Sequence, residues 1–211
     1  MTAAHAFVGF FAALLIATVT APVGISGAVF LLPVQLSILR VPNPSVTPTN
    51  LLFNIVAAPG ALARYRQRQQ LAGPLTRQLI AGTLPGVIAG SAIHVYFASG
   101  PRTFRVLAAV VLLPIGAWLL ARGPNATARA GNAFNPRAVT ALALVTGMVG
   151  GIYGVGGGSI LGPMLVGSGM SVASVAPAAL ASTFATSCVG VATYALLSLT
   201  RGGDIAPDWS L

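Results

Sequence analysis

The chain has 211 residues, of which 55% are hydrophobic and only 6% are charged. Soluble domains carry about 25% charged residues, so this composition excludes a soluble globular protein and indicates an integral membrane protein. The net charge of +9 comes from 11 arginines and two acidic residues, and the chain has no lysine. These arginines lie between apolar segments rather than on one polar face, which argues against nucleic-acid binding.

Six apolar segments approach or exceed the length needed to cross about 30 Å of hydrocarbon. In chain order they cover residues 5–39, 45–62, 75–97, 104–120, 138–166 and 172–199. The first is broken near residues 22–27, and is either one tilted, interrupted helix or a helix followed by a half-span. The fifth contains a second break. We therefore predict an all-α, polytopic integral membrane protein with about six transmembrane segments.

An internal repeat relates the two breaks. Residues 21–33 read APVGISGAVFLLP and residues 151–163 read GIYGVGGGSILGP. At an offset of 130, Gly24 matches Gly154, Gly27 matches Gly157 and Pro33 matches Pro163; the later matches, such as Tyr65 with Tyr194, have an offset of 129. Such paired interruptions point to the binding site of a transporter. We predict two repeats, each with an interrupted first helix.

The predicted repeats cover residues 1–135, with four membrane segments, and residues 136–211, with two. The shorter second copy leads us to expect a C-terminally truncated chain. Four spans are an even number, so both copies would enter the membrane from the same side. Their symmetry axis is then expected to lie along the membrane normal.

The glycine-rich breaks are the first half of the predicted substrate site. The run Gly154–Ser159 is flexible enough to unwind, and a helix that restarts after it presents free N–H groups that attract an anion. The alternative is that these glycines allow close helix packing. The candidate residues are Gly24, Ser26, Gly27, Gly154, Gly156, Gly157, Gly158 and Ser159, with Pro33 and Pro163 interpreted as structural helix breaks.

The segment after each break supplies the second half. Its polar candidates are Thr49, Asn50 and Asn54 in the first copy and Ser182, Thr183 and Thr186 in the second. Asn50 and Asn54 lie four residues apart and share a helix face, as do Ser182 and Thr186. These groups either face the substrate or form hydrogen bonds between helices, and the sequence leaves both possibilities open.

Acidic residues are absent from positions 1–203. A membrane carboxylate for sodium or proton coupling is therefore missing, and no acid–base pair indicates an enzyme. We predict no catalytic residue, no metal and no cofactor. The simplest energetics is uncoupled anion exit, since a negative interior drives each negative charge outward with about 2.3 kcal/mol per 100 mV. A non-transporting membrane subunit or assembly factor, an anion channel and a homo-oligomer remain alternatives.

The arginines also predict the orientation. With six continuous spans, eight arginines lie on one side and three, Arg40, Arg102 and Arg105, on the other. The positive-inside rule then predicts a cytoplasmic N-terminus in the inner (plasma) membrane.

Two stretches carry a resemblance to a known family. They are GISGAVFLLPVQLSILRVPNPSVTPTNLLFN and GGIYGVGGGSILGPMLVGSGMSVASVAPAALAST, and both resemble the TauE/SafE family of membrane transporters. The resemblance implies a multi-pass transporter with a small anionic substrate. It further implies that this substrate is a sulfur oxyanion such as sulfite or an organosulfonate, usually moved outward.

Overall fold

The computed structural model describes residues 3–20, 26–37, 43–97, 101–122 and 135–201. Over these ranges the chain forms eight helices and no strand. They are α1 (Ala3–Thr20), α2 (Ala28–Ser37), α3 (Asn43–Gln67), α4 (Pro74–Phe97), α5 (Pro101–Arg122), α6 (Pro136–Tyr153), α7 (Gly157–Gly167) and α8 (Val172–Arg201). The all-α prediction is confirmed.

Each predicted membrane segment corresponds to one helix or to a pair of helices. The first segment gives α1 and α2, the fifth gives α6 and α7, and the others give single helices. Within the described ranges, four helices are long and apolar enough to cross a membrane: Ser45–Gln67, Pro74–Phe97, Pro136–Tyr153 and Val172–Leu199. Because about 20 apolar residues suffice to span the hydrocarbon, the prediction of a polytopic membrane protein is confirmed.

Helix α4 packs against both α6 and α8. Its contact with α6 uses Gly82, Gly86 and Gly90, because a Cβ added at any of them would collide with α6. Small residues at every fourth position let membrane helices approach closely. Gly82 lies beside Thr140 and Gly90 lies beside Met148, so α4 and α6 run parallel.

The chain reverses direction between α6 and α7. A Cβ placed on Gly157, at the start of α7, would lie 3.0 Å from the Cα atom of Gly147. Near the end of α7, Leu165 joins a buried cluster with Ala143 and Val139, which lie near the start of α6. Helix α7 therefore runs back along α6. The fifth predicted segment is a helical hairpin rather than a single interrupted span.

The first copy has the corresponding break. Helix α1 ends at Thr20 and α2 begins at Ala28. The 10 residues of α2 extend about 15 Å, which is half a membrane span. Of the two alternatives for the first segment, the structure therefore has the helix followed by a half-span. Residues 21–25, which include Gly24, lie outside the described residues.

Helix α2 is antiparallel to α3. Ser26, directly before α2, is hydrogen-bonded to Asn54 in the middle of α3. Leu32 and Val34, further along α2, pack on Val46 near the start of α3.

Helix α7 has the same relationship to α8. Gly158, at the start of α7, lies beside Thr183, and Gly162, one turn later, lies beside Ala179. Each described half-span thus runs back along the long helix that follows it.

Helices α3 and α8, the long helices of the two copies, run antiparallel to each other. Leu51 of α3 packs against Gly190, far along α8, whereas Ala58, later in α3, shares a cavity wall with Leu180 near the start of α8. The two copies are therefore inverted, and the expected axis along the membrane normal is wrong. The physical reason is that the α6–α7 hairpin returns the chain to its side. Because α4 and α6 run parallel, the chain crosses back once between them, and α8 therefore runs parallel to α4 and opposite to α3. The repeat boundaries at 1–135 and 136–211 stay predictions.

Candidate functional site

Two glycines build the tip of the α6–α7 hairpin. Gly154 has φ 71° and Gly156 has φ 72°, a region that glycine occupies without the Cβ clash of other residues. The Gly154 N–H donates to the Gly150 carbonyl oxygen at 2.8 Å and ends α6. This left-handed residue at the helix end satisfies one of the carbonyls that would otherwise lack a partner.

The break is shorter than the sequence predicted. Only residues 154–156 leave the helix, while Gly157, Gly158 and Ser159 form the first turn of α7. Gly158 is a close-packing residue, because a Cβ there would overlap the Ala179 carbonyl oxygen. At the start of α7 the glycines therefore allow close helix packing, which was the alternative interpretation. The prediction of an unwound segment is correct only for residues 154–156.

The two prolines do not form the breaks. Pro163 lies inside α7, six residues after that helix begins at Gly157, and Pro33 falls within the range of α2. The interpretation of both prolines as helix breaks is therefore wrong. The chain reversal at the second break comes from glycines with positive φ, which permit a turn of the backbone that proline, fixed near −65°, cannot supply.

Side chains from α3 and α8 satisfy the carbonyl oxygens at the end of α6. The Thr47 hydroxyl donates to the Ile152 oxygen at 2.8 Å, and the Tyr194 hydroxyl donates to the Gly151 oxygen at 2.8 Å. A helix end buried in a membrane needs such partners, because no water is present to replace them. Tyr194 was not among the residues predicted for the site from the sequence. The signal that could have found Tyr194 is its match with Tyr65 in the repeat.

The first turn of α7 is held by α8. The Gly157 N–H donates to the Thr186 hydroxyl oxygen at 3.4 Å, and the hydroxyls of Ser159 and Thr183 lie 3.3 Å apart. The Ser182 hydroxyl lies 2.8 Å from that of Thr83 and faces α4 instead. The second tip thus brings together Ser159, Thr183 and Thr186. Ser182 instead joins α8 to α4.

The first hairpin tip is built from Ser26 and Gly27. The Ser26 hydroxyl oxygen accepts the Ala28 N–H at 3.1 Å and so caps the start of α2. The same hydroxyl donates to the side-chain oxygen of Asn54. Gly27 lies against Phe53, where a Cβ would come within 3.2 Å of the ring.

Asn54 bonds to both tips. Its Oδ1 accepts the Ser26 hydroxyl from the first copy, and its Nδ2 donates to the Gly154 carbonyl oxygen of the second copy at 3.3 Å. Asn54 is only 3% exposed. Thr183 stands 129 residues after Asn54, so the two occupy equivalent positions in the repeat.

Asn50 lies one turn before Asn54, and its side chain is fully buried. A Cβ placed on Gly154 would lie 2.8 Å from the Cβ of Asn50, so Asn50 lies beside the second tip. Within the described residues neither its Nδ2 nor its Oδ1 has a hydrogen-bond partner. Native buried amides are nearly always bonded, so this amide is a candidate to bind a polar group that enters beside the second tip. Thr49, by contrast, donates to the Ser45 oxygen of its own helix at 2.7 Å.

A small cavity of about 20 Å³ lies between the two copies. Its walls include Ser26, Gly27 and Asn54 from the first copy and Leu180 and Thr183 from the second. A cavity of about 10–15 Å³ suffices for one water molecule. The space therefore accommodates a water molecule but not a tetrahedral oxyanion.

The family model described as Sulfite exporter TauE/SafE matches residues 9–211. The chain belongs to this family. No curated protein and no solved structure matched it. TauE/SafE proteins are membrane transporters of sulfite and related sulfur anions, and theirs is a transporter family rather than an enzyme family. This chain is therefore a multi-pass membrane transporter. Among the residues that the structure describes, no cluster of three His, Cys, Asp or Glu side chains offers a metal site.

Proposed function

We propose that the two hairpin tips form one binding site for a small anion, sulfite or an organosulfonate, which the protein exports across the cytoplasmic membrane. The observation that carries this proposal is Asn54, which bonds to Ser26 of one tip and to Gly154 of the other. A solute that enters between the tips must replace these bonds. The same solute reaches Asn50, whose buried amide lacks a partner among the described residues.

The chemistry of this site favours an anion. The polar groups at the tips are hydroxyls, amides and backbone N–H groups, and residues 1–203 contain no carboxylate that would repel a negative charge. The N-terminus of α7 adds the positive end of an 11-residue helix dipole. Neutral donors suit a site in the membrane, because they bind an anion without the cost of burying a fixed charge.

Release and binding require the tips to separate. The cavity of about 20 Å³ is too small for an oxyanion, so we propose that one hairpin moves away from Asn54 to admit the substrate. The inverted copies provide two equivalent hairpins for this purpose. Movement of the first would open one side of the membrane and movement of the second the other, as in other inverted-repeat transporters.

The observed topology gives a new proposal for the orientation. Among the arginines of the described residues, six lie at the helix ends where α3 and α5 finish and where α4 and α6 start. Three lie at the opposite ends. The positive-inside rule places the six-arginine side in the cytoplasm.

The N-terminus then lies outside. Ala17 and Thr18, near the end of α1, line a cavity together with Gly60 and Ala61 of α3. We propose that α1, a helix of 18 residues, runs parallel to α3 and therefore begins level with the start of α3. We propose this arrangement in place of the cytoplasmic N-terminus expected for six continuous spans.

We propose outward transport because of the effect of the membrane potential on a negative charge. Without a carboxylate for cation coupling in residues 1–203, a negative membrane interior favours outward movement of an anion by about 2.3 kcal/mol per charge and 100 mV. The competing functions are an anion channel and a non-transporting subunit. Saturable efflux with counter-transport favours a carrier over a channel, and absence of any flux favours a subunit.

The experiment is sulfite efflux from proteoliposomes at a set membrane potential. Thr183→Val removes a hydroxyl that lines the cavity, whereas Thr193→Val removes a hydroxyl on the same helix that bonds only to the Val189 oxygen at 2.8 Å. We expect flux to fall at least about tenfold in the first variant and to stay unchanged in the second. Equal flux in both variants would contradict the proposed site.

A further inference from the structure

A second cavity, of about 320 Å³, lies beside the end of α3. It is lined by Ala17, Thr18, Gly60, Ala61, Arg64, Tyr65 and Arg68. Small-molecule sites have volumes of about 300–1,000 Å³, so this cavity is large enough for an organic anion. The small cavity between the two copies is not.

Two arginines converge on this cavity. The Arg68 N–H donates to the Arg64 carbonyl oxygen at 3.2 Å, which continues the helical geometry of α3 as far as Arg68. Residues four apart share one helix face, and two like charges at this spacing destabilise a helix. Residues 1–203 contain no carboxylate that could compensate them. A bound anion would remove this repulsion.

Arg66 provides an internal comparison. It belongs to the last turn of α3, as Arg64 does, where a positive charge complements the negative end of the helix dipole. That role explains an arginine anywhere in the turn. It does not explain why Arg64 and Arg68, but not Arg66, line the cavity.

The two cavities are neighbours along the same pair of helices. Ala17 of α1 lines both of them. On α3, the wall of the inner cavity extends to Ala58 and that of the outer cavity starts at Gly60. The outer cavity therefore lies next to the inner one, on the side of α3 that carries the arginines.

We propose that Arg64 and Arg68 form an oxyanion-binding site that receives the substrate on the arginine-rich side before it reaches the hairpin tips. The inference rests on the proposed function and adds a first binding position to it. A guanidinium group presents paired N–H donors that match the oxygens of a sulfonate or sulfite group. A phosphate head group of a lipid has the same chemistry, so the test must separate a free solute from a lipid.

The first measurement is sulfite efflux as a function of internal sulfite concentration. The double variant Arg64→Gln/Arg68→Gln should raise the half-saturating concentration about tenfold while the saturated rate changes less than twofold. Arg66→Gln is the control. The single variants Arg64→Gln and Arg68→Gln have the same net charge as this control and are measured beside it. If the double variant changes efflux no more than twice as much as Arg66→Gln, while Thr183→Val still lowers it at least about tenfold, the inference is wrong and the proposed function stands.

The second measurement does not depend on transport. Binding of radiolabelled methanesulfonate is measured on the purified full chain in neutral detergent, and again in nanodiscs with and without anionic lipid. We expect saturable binding in detergent that the double variant weakens about tenfold, and that Arg66→Gln leaves unchanged. Binding of equal strength in the double variant would overturn the inference. It would also be overturned if the arginines retained co-purified anionic lipid and methanesulfonate failed to displace it, because the cavity would then be a lipid site.

Discussion

The Asn54 side chain donates to the Gly154 carbonyl oxygen at 3.3 Å, so a residue of the first repeat caps the hairpin tip of the second. The bond joins α3 to the point at which the chain reverses between α6 and α7. Because the other atom of the same amide accepts the Ser26 hydroxyl, a change at Asn54 acts on both tips at once. This relationship makes Asn54 the most informative position for mutation.

Asn54→Asp should abolish anion transport. An aspartate has the same shape but cannot donate to the Gly154 oxygen, and its charge would repel an anion between the tips. Loss of a bonded buried amide costs about 1–3 kcal/mol, so we also expect lower stability in detergent. Efflux assays and thermal unfolding measure the two effects. Transport at the wild-type rate would show that this amide does not face the substrate.

Asn50→Leu should separate binding from stability. The Asn50 amide is fully buried without a partner among the described residues, so replacing it with an apolar side chain removes an unsatisfied group. We expect stability to stay the same or to rise by about 1–3 kcal/mol, while sulfite efflux falls at least about tenfold. Unfolding in denaturant and proteoliposome efflux give the two readouts. A variant that is destabilised and still fully active would indicate a structural asparagine.

Gly154→Ala should destabilise the protein. Gly154 has φ 71°, and an added Cβ would collide with the Thr47 oxygen. The combined strain and overlap should cost about 2 kcal/mol or more. Gly116→Ala is the control, because a Cβ there meets nothing within 4 Å and alanine favours a helix by about 1 kcal/mol over glycine. Thermal unfolding in detergent compares the two. A Gly154→Ala variant as stable as Gly116→Ala would contradict the turn geometry.

The orientation can be tested with single cysteines in a Cys188→Ser background. Gln70, just beyond α3, should lie in the cytoplasm, and Phe97, at the end of α4 and 80% exposed, should lie outside. A membrane-impermeant maleimide applied to intact cells should label Phe97→Cys and not Gln70→Cys, which should react only after the membrane is opened. The reverse pattern would refute the proposed orientation.

The sequence predicted the helices and the positions of the two breaks because both depend on local chemistry. Apolar segments of sufficient length form helices in a membrane, and the glycine-rich breaks identified both tips. Asn54 and Thr183 were identified by their polarity in apolar segments, and both line the cavity between the copies. Their roles as site residues are still predictions.

The reversal of the chain at the second tip was not predictable from local chemistry. A glycine with positive φ permits either a kink or a full turn, and the choice between them depends on contacts distant in sequence. Here Leu165 packs in the cluster of Val139 and Ala143, which fixes α7 beside α6. Once this hairpin is known, the parity of the crossings changes, and with it the symmetry axis.

The most direct test of anion binding between the hairpin tips is a structure of the full chain determined with bound sulfite. The account predicts density for the anion between the two hairpin tips, within hydrogen-bonding distance of Asn54 and Thr183, with the bond from Asn54 to Gly154 broken. Anion density elsewhere in the protein, with the tips still joined through Asn54, would contradict it.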